Sequence, residues 1–267
     1  MMEHFERVAE AFTQKAEIYD EFGRGHPNLE RMRGRVYEHV LRFAKPKARI
    51  LEINAGTGGD ALFLARRGYI VHATDISPGM VAAIQSKIED QGMQGKLTAE
   101  HRSYTKLSDL ESAPFDYIFS NFGGLNCIQD LGRVTRQLPH LLQPGGRLTW
   151  VIMPPVCPWE LILVFQGNPG QAFRRLREGG TLANVEGYQF QVWYYTPGRV
   201  MQILGNKFHL LRLEGLSIFA PPADRKQFAH RYPGAYSLLA ALDERVAAWP
   251  VINGMGDFFI LSMEYMP

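Results

Sequence analysis

The residues with the clearest potential for chemistry are three glycines, Gly56, Gly58 and Gly59, and the acids near them. An apolar run at 50–53 precedes these glycines, and apolar side chains at helical spacing follow at 61–65. Glycines let a ligand approach the backbone closely, and the first turn of a helix presents free N–H groups. This order of strand, glycine-rich turn and helix is therefore typical of a nucleotide-binding crevice.

Two cofactor chemistries fit this turn. The pattern Gly56-x-Gly58-x-x-Ala61 fits the dinucleotide fingerprint, and Asp75 lies 19 residues beyond Gly56, near the place of its ribose-binding acid. Glu52, however, lies on the strand before the glycines. A carboxylate there suits the ammonium group of S-adenosylmethionine and repels a pyrophosphate. The turn alone leaves both cofactors open.

The rest of the chain predicts the elements that must position these residues. Strands are expected at 49–53, 70–75, 97–102, 115–121 and 146–153, and helices at 58–67, 79–90 and 129–142. Such alternation with short connections predicts an α/β, Rossmann-like, doubly wound and mostly parallel sheet covered on both faces. In such a sheet the ligand lies at the carboxyl ends of the strands.

The segments outside this alternation predict helical caps around a seven-stranded sheet. Helical patterns occupy 3–21 and 29–43, and strands are expected at 189–195, 208–219 and 257–265, the last one antiparallel and closing the sheet. We therefore expect one domain over 1–267, with an N-terminal cap at 1–45. Insertions or cap segments are expected at 154–200 and 220–255, because prolines and glycines interrupt the rhythm there.

Composition limits the class of partner. The chain has 267 residues, a net charge of +2 and two cysteines, Cys127 and Cys157. Its mixed charges give no electrostatic case for nucleic acid, its apolar runs are too short to span a bilayer, and its first residues predict no signal peptide. Two cysteines make no disulfide framework, so a reduced, cytoplasmic setting is expected. A monomer or homodimer is also expected. The histidines show no metal-ligand spacing, so no metal is expected.

Five segments match, in order, the motifs of one enzyme family. They are Phe12 to Asp20, Ile50-Leu51-Glu52 with Gly56-Thr57-Gly58, Thr74-Asp75-Ile76-Ser77 with Met80, Phe115 to Phe122, and Leu142-Gln143-Pro144-Gly145-Gly146. The chain resembles a class I S-adenosylmethionine-dependent methyltransferase, of the small-molecule type similar to quinone-biosynthesis methyltransferases. The resemblance implies S-adenosyl-L-methionine as cofactor and S-adenosyl-L-homocysteine as product.

The resemblance also implies roles for individual residues. Glu52 would orient the ammonium group, Asp75 would hold the ribose, and Tyr19 would close over the site. The other implied cofactor contacts are Asn54, Ala55, Gly56 and Gly58 at the methionine portion, Ile76 and Met80 beside the adenine, Ser103 and Tyr104 at the adenine edge, and Asn121 and Phe122 near the methyl group.

Two positions depart from the family pattern. Asn54 stands where the family usually has glycine, and Ser103 stands where it often has aspartate. Asparagine tolerates left-handed backbone conformations, so the turn can survive. We expect the Asn54 side chain to crowd the methionine end or to hydrogen-bond there, and Ser103 to bind the adenine amino group more weakly than a carboxylate would.

Candidate catalytic residues are harder to identify. His26 and His230 lie in predicted cap segments and are weak candidates for a general base, as is Tyr19. Arg24, Arg231 and the pair Arg174-Arg175 are candidates for pairing with a substrate carboxylate. The aromatic run Trp193-Tyr194-Tyr195 fits either strand packing or a site for a planar ligand.

The sequence therefore predicts methyl transfer to an O, N or C nucleophile of a small metabolite. Ser120-Asn121-Phe122-Gly123 lacks the Pro-Pro pair of enzymes that methylate nucleic-acid amino groups, and residues 122–130 lack the paired glutamates of protein-arginine enzymes. Two other classes stay open: an NAD(P)-dependent oxidoreductase, and a non-catalytic S-adenosylmethionine-binding protein.

Overall fold

The computed structural model describes residues 2–23 and 25–267. Its strands are β1 Arg49–Ile53, β2 Ile70–Asp75, β3 Leu97–His101, β4 Phe115–Ser120, β5 Leu142–Ile152, β6 Thr181–Val185, β7 Tyr188–Val192, β8 Phe208–Leu216 and β9 Phe258–Tyr265. Its helices are α1 Met2–Gly23, α2 Pro27–Phe43, α3 Gly59–Arg66, α4 Pro78–Asp90, α5 Gly132–Thr135, α6 Leu138–Leu141, α7 Pro158–Leu161, α8 Pro169–Ala172, α9 Pro197–Leu204, α10 Lys226–Arg231 and α11 Pro233–Val246. Short 3-10 helices occupy Gly124–Cys127, Ile162–Gln166, Arg174–Leu176, Ala223–Arg225 and Ile252–Gly254.

One sheet of seven strands forms the centre of the fold, in the order β3-β2-β1-β4-β5-β9-β8. The strands β1 to β5 pair in parallel, whereas β9 is antiparallel to both β5 and β8. The predicted fold class is therefore confirmed. The last strand lies inside the sheet rather than at its edge, because residues 258–263 are buried on both faces, so β8 forms the edge.

Two other predicted elements differ in detail. The helix expected at 129–142 is divided into α5 and α6, because Pro139 has no N–H to continue the first helix. The strand expected at 189–195 is β7, which ends at Val192 and pairs with β6 in a separate hairpin. The hairpin turns at Glu186 and Gly187, whose φ angles of 49° and 85° suit a type I′ turn.

Helix α1 crosses the carboxyl ends of the sheet strands. Polar contacts in the middle of the helix and near its C-terminus hold it there. Thr13 Oγ1 lies 2.9 Å from the Oγ of Ser77, the residue that caps the N-terminus of α4. Farther along α1, Asp20 accepts a hydrogen bond from Thr57 Oγ1 at 2.5 Å and pairs with Lys87 Nζ at 2.5 Å. Lys87 also donates to the Thr57 carbonyl at 2.7 Å. These contacts connect α1, the glycine turn and α4.

The segment between β5 and β8 is anchored to the sheet by a buried arginine. Arg175 pairs with Asp257 Oδ1 at 2.9 Å and with Glu160 Oε1 at 2.8 Å, and Arg174 makes a two-pronged contact with the same glutamate. Both members of the pair Arg174-Arg175, which were candidates for binding a substrate carboxylate, thus form ion pairs within the fold. Arg231 is exposed on α10 beside the ring of Tyr232, and Arg24 lies outside the described residues.

Candidate cofactor and acceptor site

The turn after β1 takes a left-handed backbone at three positions. The φ angles are 51° at Asn54, 56° at Gly56 and 74° at Gly58. Glycine adopts this conformation without strain, and a Cβ at Gly58 would also lie 2.8 Å from Ile84 Cγ1. Helix α3 begins at the next residue, so its first N–H groups face the carboxyl ends of the strands.

Asp75, at the end of β2, is connected directly to this turn. Its carboxylate accepts the Gly56 N–H at 2.9 Å with one oxygen and the Ser77 N–H at 2.9 Å with the other. Burial raises the pKa of Asp75 to about 6, although these backbone hydrogen bonds act in the opposite direction. The remaining lone pairs of the carboxylate are available to ligand hydroxyl groups.

The side chain of Asn54 makes two hydrogen bonds with residues at the end of β4. Ser120 Oγ donates to Asn54 Oδ1 at 2.8 Å, and Asn54 Nδ2 donates to the Asn121 carbonyl at 3.4 Å. A Cβ built on Gly124 would lie 2.3 Å from Asn54 Cγ. The unusual asparagine is therefore matched by a glycine on the facing segment.

Glu52 lies behind the turn, among polar residues that sequence reasoning missed. Its Oε2 is buried and has no hydrogen-bond partner among the described residues, and burial raises its pKa well above the usual range. Asp60, in the first turn of α3, accepts hydrogen bonds from Tyr37 at 2.6 Å and from Asn121 at 2.7 Å. Arg33 Nε lies 3.2 Å from the same carboxylate.

A partial signal for these residues exists in the sequence. Arg33 and Tyr37 are four residues apart, so they share one face of α2, and Asp60 directly follows the glycine turn. The spacing cannot show which part of the sheet α2 crosses. That information comes from tertiary packing, which brings Arg33 to 5.6 Å from the centroid of the Phe122 ring.

A crevice runs between the glycine turn and α1. It encloses about 100 Å³ and is lined by Val8, Phe12, Tyr19, Asn54, Gly56, Asp75, Ile76, Tyr104, Asn121, Phe122, Gly123, Gly124 and Cys127. A small extension at its far end is lined by Glu52, Ala55, Arg33 and Asp60, together with residues of the turn. Most of the predicted cofactor contacts thus lie around one crevice.

The Tyr19 ring, on α1, lies over the glycine turn. A Cβ on Gly56 would lie 3.8 Å from Tyr19 Cε1, so a larger residue at this position would meet the ring. Burial raises the pKa of Tyr19, which keeps the phenol neutral at physiological pH. Its hydroxyl is therefore a poor general base in this state.

Two larger cavities adjoin the crevice. One, of about 510 Å³, lies between α1, α2 and the residues near Ala223 and Phe258, and it shares Tyr19 and Phe122 with the crevice. The other, of about 570 Å³, shares Ile76 with the crevice and is lined by Ser103, Arg102 and His101. Tyr19 and Phe122 therefore form the partition between the crevice and the first of these cavities.

Several predicted site residues are placed elsewhere. Met80 is fully buried and does not line the crevice, and Gly58 shapes the turn from behind. His26 caps α2: its Nδ1 accepts the Leu29 N–H at 3.4 Å, so its Nε2 donates to the Ala223 carbonyl at 2.7 Å. With both nitrogens engaged, His26 cannot act as a general base without breaking the cap. His230 is exposed on α10 and lines none of these three cavities.

The aromatic run beside the insertion is used for packing. Tyr195 is buried and donates to the Gln129 carbonyl at 3.1 Å, and the Tyr194 hydroxyl lies 3.0 Å from Thr181 Oγ1. Within residues 2–23 and 25–267, no group of three His, Cys, Asp or Glu side chains could hold a metal ion. In the same residues no helix is both long enough and apolar enough to cross a bilayer.

Comparison with known proteins shows which sequences this chain resembles. Residues 50–146 match the family described as a methyltransferase domain. The chain is 30% identical over 146 residues to the biotin biosynthesis bifunctional protein BioHC of Cellvibrio japonicus, an alignment that covers 53% of this chain and 26% of that protein. It is 30% identical over 109 residues to the demethylmenaquinone methyltransferase of Corynebacterium glutamicum, covering 39% of this chain and 41% of the relative.

The fold has solved counterparts. The 1,6-didemethyltoxoflavin-N1-methyltransferase of Burkholderia thailandensis superposes with a TM-score of 0.61 at 14% identity, over 100% of this chain and 90% of the other. Residues 50–146 match a methyltransferase domain and the seven-stranded sheet has the fold of class I S-adenosylmethionine-dependent methyltransferases, which confirms the predicted resemblance. The chain matches less than half the length of the curated relatives above.

Proposed function

We propose that this chain binds S-adenosyl-L-methionine in the crevice and transfers its methyl group to a small-molecule acceptor, releasing S-adenosyl-L-homocysteine. One observation carries the proposal. A carboxylate at the end of β2 faces one end of the glycine turn, while an arginine and two acids surround the other end. That arrangement suits a ligand with a ribose at one end and an amino acid at the other.

The residues at the far end fit the methionine part of this cofactor. The Asp60 carboxylate can attract its ammonium group, and that cation would in turn favour the ionised form of Glu52, whose buried Oε2 has no partner among the described residues. Arg33 contacts Asp60 through Nε, and none of its terminal nitrogens has a hydrogen-bond partner among the described residues, so they can pair with the cofactor carboxylate. A pyrophosphate at this place would meet two acids, which disfavours a dinucleotide.

At the other end, Asp75 would accept hydrogen bonds from the ribose hydroxyls and Ile76 would pack against the adenine. Ile76 also lines the cavity that contains Ser103, so the adenine edge would reach that serine. The crevice encloses about 100 Å³, whereas ligand sites commonly measure roughly 300–1,000 Å³. We therefore expect α1 to shift when the cofactor enters.

When bound, the cofactor supplies a sulfonium whose methyl group is already electrophilic. The residues of this chain then have to position the acceptor and exclude water, an effect that can account for roughly 7–11 kcal/mol of a barrier. Tyr19 and Phe122 line both the crevice and the 510 Å³ cavity, so the acceptor in that cavity would meet the methyl group between these rings.

Methyl transfer in this site would proceed without a dedicated base on the enzyme. His26 is fixed as a helix cap, and both acids in the cavity wall, Asp20 and Asp257, are paired with cations. The acceptor atom would therefore be nucleophilic, or ionised, before it reaches the methyl group.

The test is incubation of the purified protein with methyl-labelled S-adenosylmethionine and a metabolite extract. Label in any product supports an enzyme, whereas tight S-adenosylhomocysteine binding with no labelled product favours a cofactor-binding protein without turnover. Binding of NAD(H) in preference to S-adenosylmethionine would favour the oxidoreductase alternative and overturn the proposal.

Replacing Arg33 with methionine should weaken S-adenosylhomocysteine binding about tenfold, because a charge-assisted hydrogen bond contributes about 1.5 kcal/mol. Isothermal titration calorimetry measures the affinity. The affinity for 5′-methylthioadenosine, which has no amino acid part, should be unchanged. Tyr37→Phe removes another Asp60 contact but keeps the cation, so it serves as the matched control. Equal losses for both ligands would contradict this role of Arg33.

Several broader expectations belong to the same proposal. We propose one methyltransferase domain, with 1–45 as the N-terminal cap and 154–200 and 220–255 as cap segments. Two free, buried cysteines, Cys127 and Cys157, favour a reducing cytoplasmic setting. Binding of nucleic acid is not expected, and a monomer or homodimer stays a prediction that sedimentation can test.

A further inference from the structure

The 510 Å³ cavity beside the cofactor crevice has a largely apolar wall. Two aromatic rings, Phe122 and Phe258, meet edge to face with centroids 5.6 Å apart, and Leu29 and Met32 extend this wall along α2. Phe22, whose side chain is 50% exposed, lies at the outer edge. The volume and the aromatic wall suit a small ring system or a short hydrocarbon body.

Helical spacing brings the polar and apolar sides of the cavity together. Lys15, Tyr19 and Phe22 follow one another at intervals of four and three residues, so they lie on one face of α1, and all three line the cavity. Met32 and Arg33 follow Leu29 by three and four residues, so these three share one face of α2 and also line the cavity. The two cap helices thus present complementary faces to one space.

Across residues 2–23 and 25–267, the charged side chains of the cavity wall leave one cation without an ion-pair partner. Asp20 pairs with Lys87 at 2.5 Å, Arg33 with Asp60 at 3.2 Å, and Asp257 with Arg175 at 2.9 Å. The remaining charged side chain is Lys15. Among the described residues it has no ion-pair partner, and its Nζ lies 6.0 Å from the centroid of the Tyr19 ring.

We propose that the methyl acceptor is an amphipathic anion, with its apolar body against Phe122, Phe258 and Met32 and its anionic group on Lys15. The inference rests on the proposed function of the neighbouring crevice. An ammonium-bearing acceptor would be repelled by Lys15, and a neutral one would leave that cation uncompensated against an apolar wall. The anionic group is a carboxylate, sulfonate or phosphate.

The position of Lys15 defines what it does for the reaction. It lies one helical turn before Tyr19, which forms the partition to the crevice, so the anchored group is held away from the transferred methyl. Lys15 is therefore a binding residue, and its removal should raise the KM for the acceptor with little change in kcat.

The experiment uses two fluorescent probes with almost the same apolar body. 8-Anilino-1-naphthalenesulfonate is anionic, and N-phenyl-1-naphthylamine lacks the sulfonate. Lys15→Met should weaken binding of the anionic probe about tenfold and leave the neutral probe unchanged, because one charge-assisted contact is lost. Lys15→Arg should restore most of the affinity. Phe22→Ala should weaken binding of both probes by the same factor, because it removes a part of the cavity wall that both probes contact.

The control is Lys96→Met, which removes an exposed cation between α4 and β3. Unchanged affinity of the anionic probe in Lys15→Met, or an equal loss in Lys96→Met, would overturn the proposal. Calorimetry with S-adenosylhomocysteine on the same proteins separates the two failures. A wild-type protein that does not bind it refutes the proposed function, whereas normal binding with no effect of Lys15 refutes only the anionic acceptor.

Discussion

Replacing Asp75 with alanine should weaken S-adenosylhomocysteine binding about 100-fold. The carboxylate holds the Gly56 and Ser77 N–H groups at 2.9 Å each, and we propose that it also accepts the ribose hydroxyls. Hydrogen bonds to a charged group contribute about 1.5–3 kcal/mol each, so loss of two corresponds to about two powers of ten in affinity. Isothermal titration calorimetry measures the change.

A matched control exists at the opposite end of the parallel strands. Asp116 also accepts a backbone N–H, from Arg49 at 2.8 Å, but it lies at the amino end of β4. Asp116→Asn should lower the free energy of unfolding and leave cofactor affinity unchanged. If Asp75→Ala binds S-adenosylhomocysteine as tightly as the wild type, the cofactor site is wrongly assigned.

The Asp75 carboxylate should also make the cofactor affinity depend on pH. Burial raises the pKa of Asp75 from 3.8 to about 6 in the free protein, and the ionised form is the one that accepts hydroxyl hydrogens. Affinity for S-adenosylhomocysteine should therefore fall below pH 6, approaching about tenfold per pH unit. Titrations between pH 5 and 8, roughly spanning this pKa, should show the fall in the wild type and not in Asp75→Asn.

The free energy of unfolding should change with pH in the direction opposite to the cofactor affinity. Since the folded pKa lies above the unfolded one, the contribution to stability is fully present below pH 3.8 and is lost as the pH rises through about 6. The difference corresponds to about 3 kcal/mol for this group. The free protein thus gains stability from protonation of Asp75 under conditions that weaken cofactor binding, which separates a binding role from a folding role.

The parts of the site that the sequence predicts are those close together along the chain. Glu52, the glycine turn and Asp75 belong to consecutive strands of a parallel sheet, so their carboxyl ends must meet. Arg33 and Asp60 were missed because their meeting depends on where α2 crosses the sheet, which periodicity does not encode. The contacts of Asp20 with Thr57 and Lys87 likewise join three segments distant in sequence.

The two elements that differ from the prediction do so for local physical reasons. A proline at 139 divides an otherwise helical pattern, and the hairpin of β6 and β7 turns at Glu186-Gly187 within a proline- and glycine-rich stretch where turn signals are common. His26 illustrates the limit for catalytic residues. Its position before Pro27 fits a helix cap as well as a base, and only its contacts to Leu29 and Ala223 distinguish the two.

The close packing of Gly124 against the Asn54 side chain should contribute to stability. Gly124→Ala should lower the free energy of unfolding by about 3 kcal/mol, the upper part of the usual range for overpacking. The new Cβ would lie 2.3 Å from Asn54 Cγ, and hydrogen bonds to Ser120 and Asn121 restrict movement of that side chain. Denaturant unfolding measures the loss. Gly34→Ala, on α2 with open space around the Cβ, should instead be neutral or stabilising.

Asn54→Gly should restore most of the stability lost in Gly124→Ala. The φ of 51° at Asn54 suits glycine, and removal of the side chain opens the space that the new methyl group needs. A double-mutant cycle should give a coupling of about 2 kcal/mol, far above the value for independent sites. Additive losses would show that Asn54 does not fill this space. A coupled pair means that the glycine turn keeps its left-handed backbone despite its asparagine, because Gly124 leaves room for the Asn54 side chain.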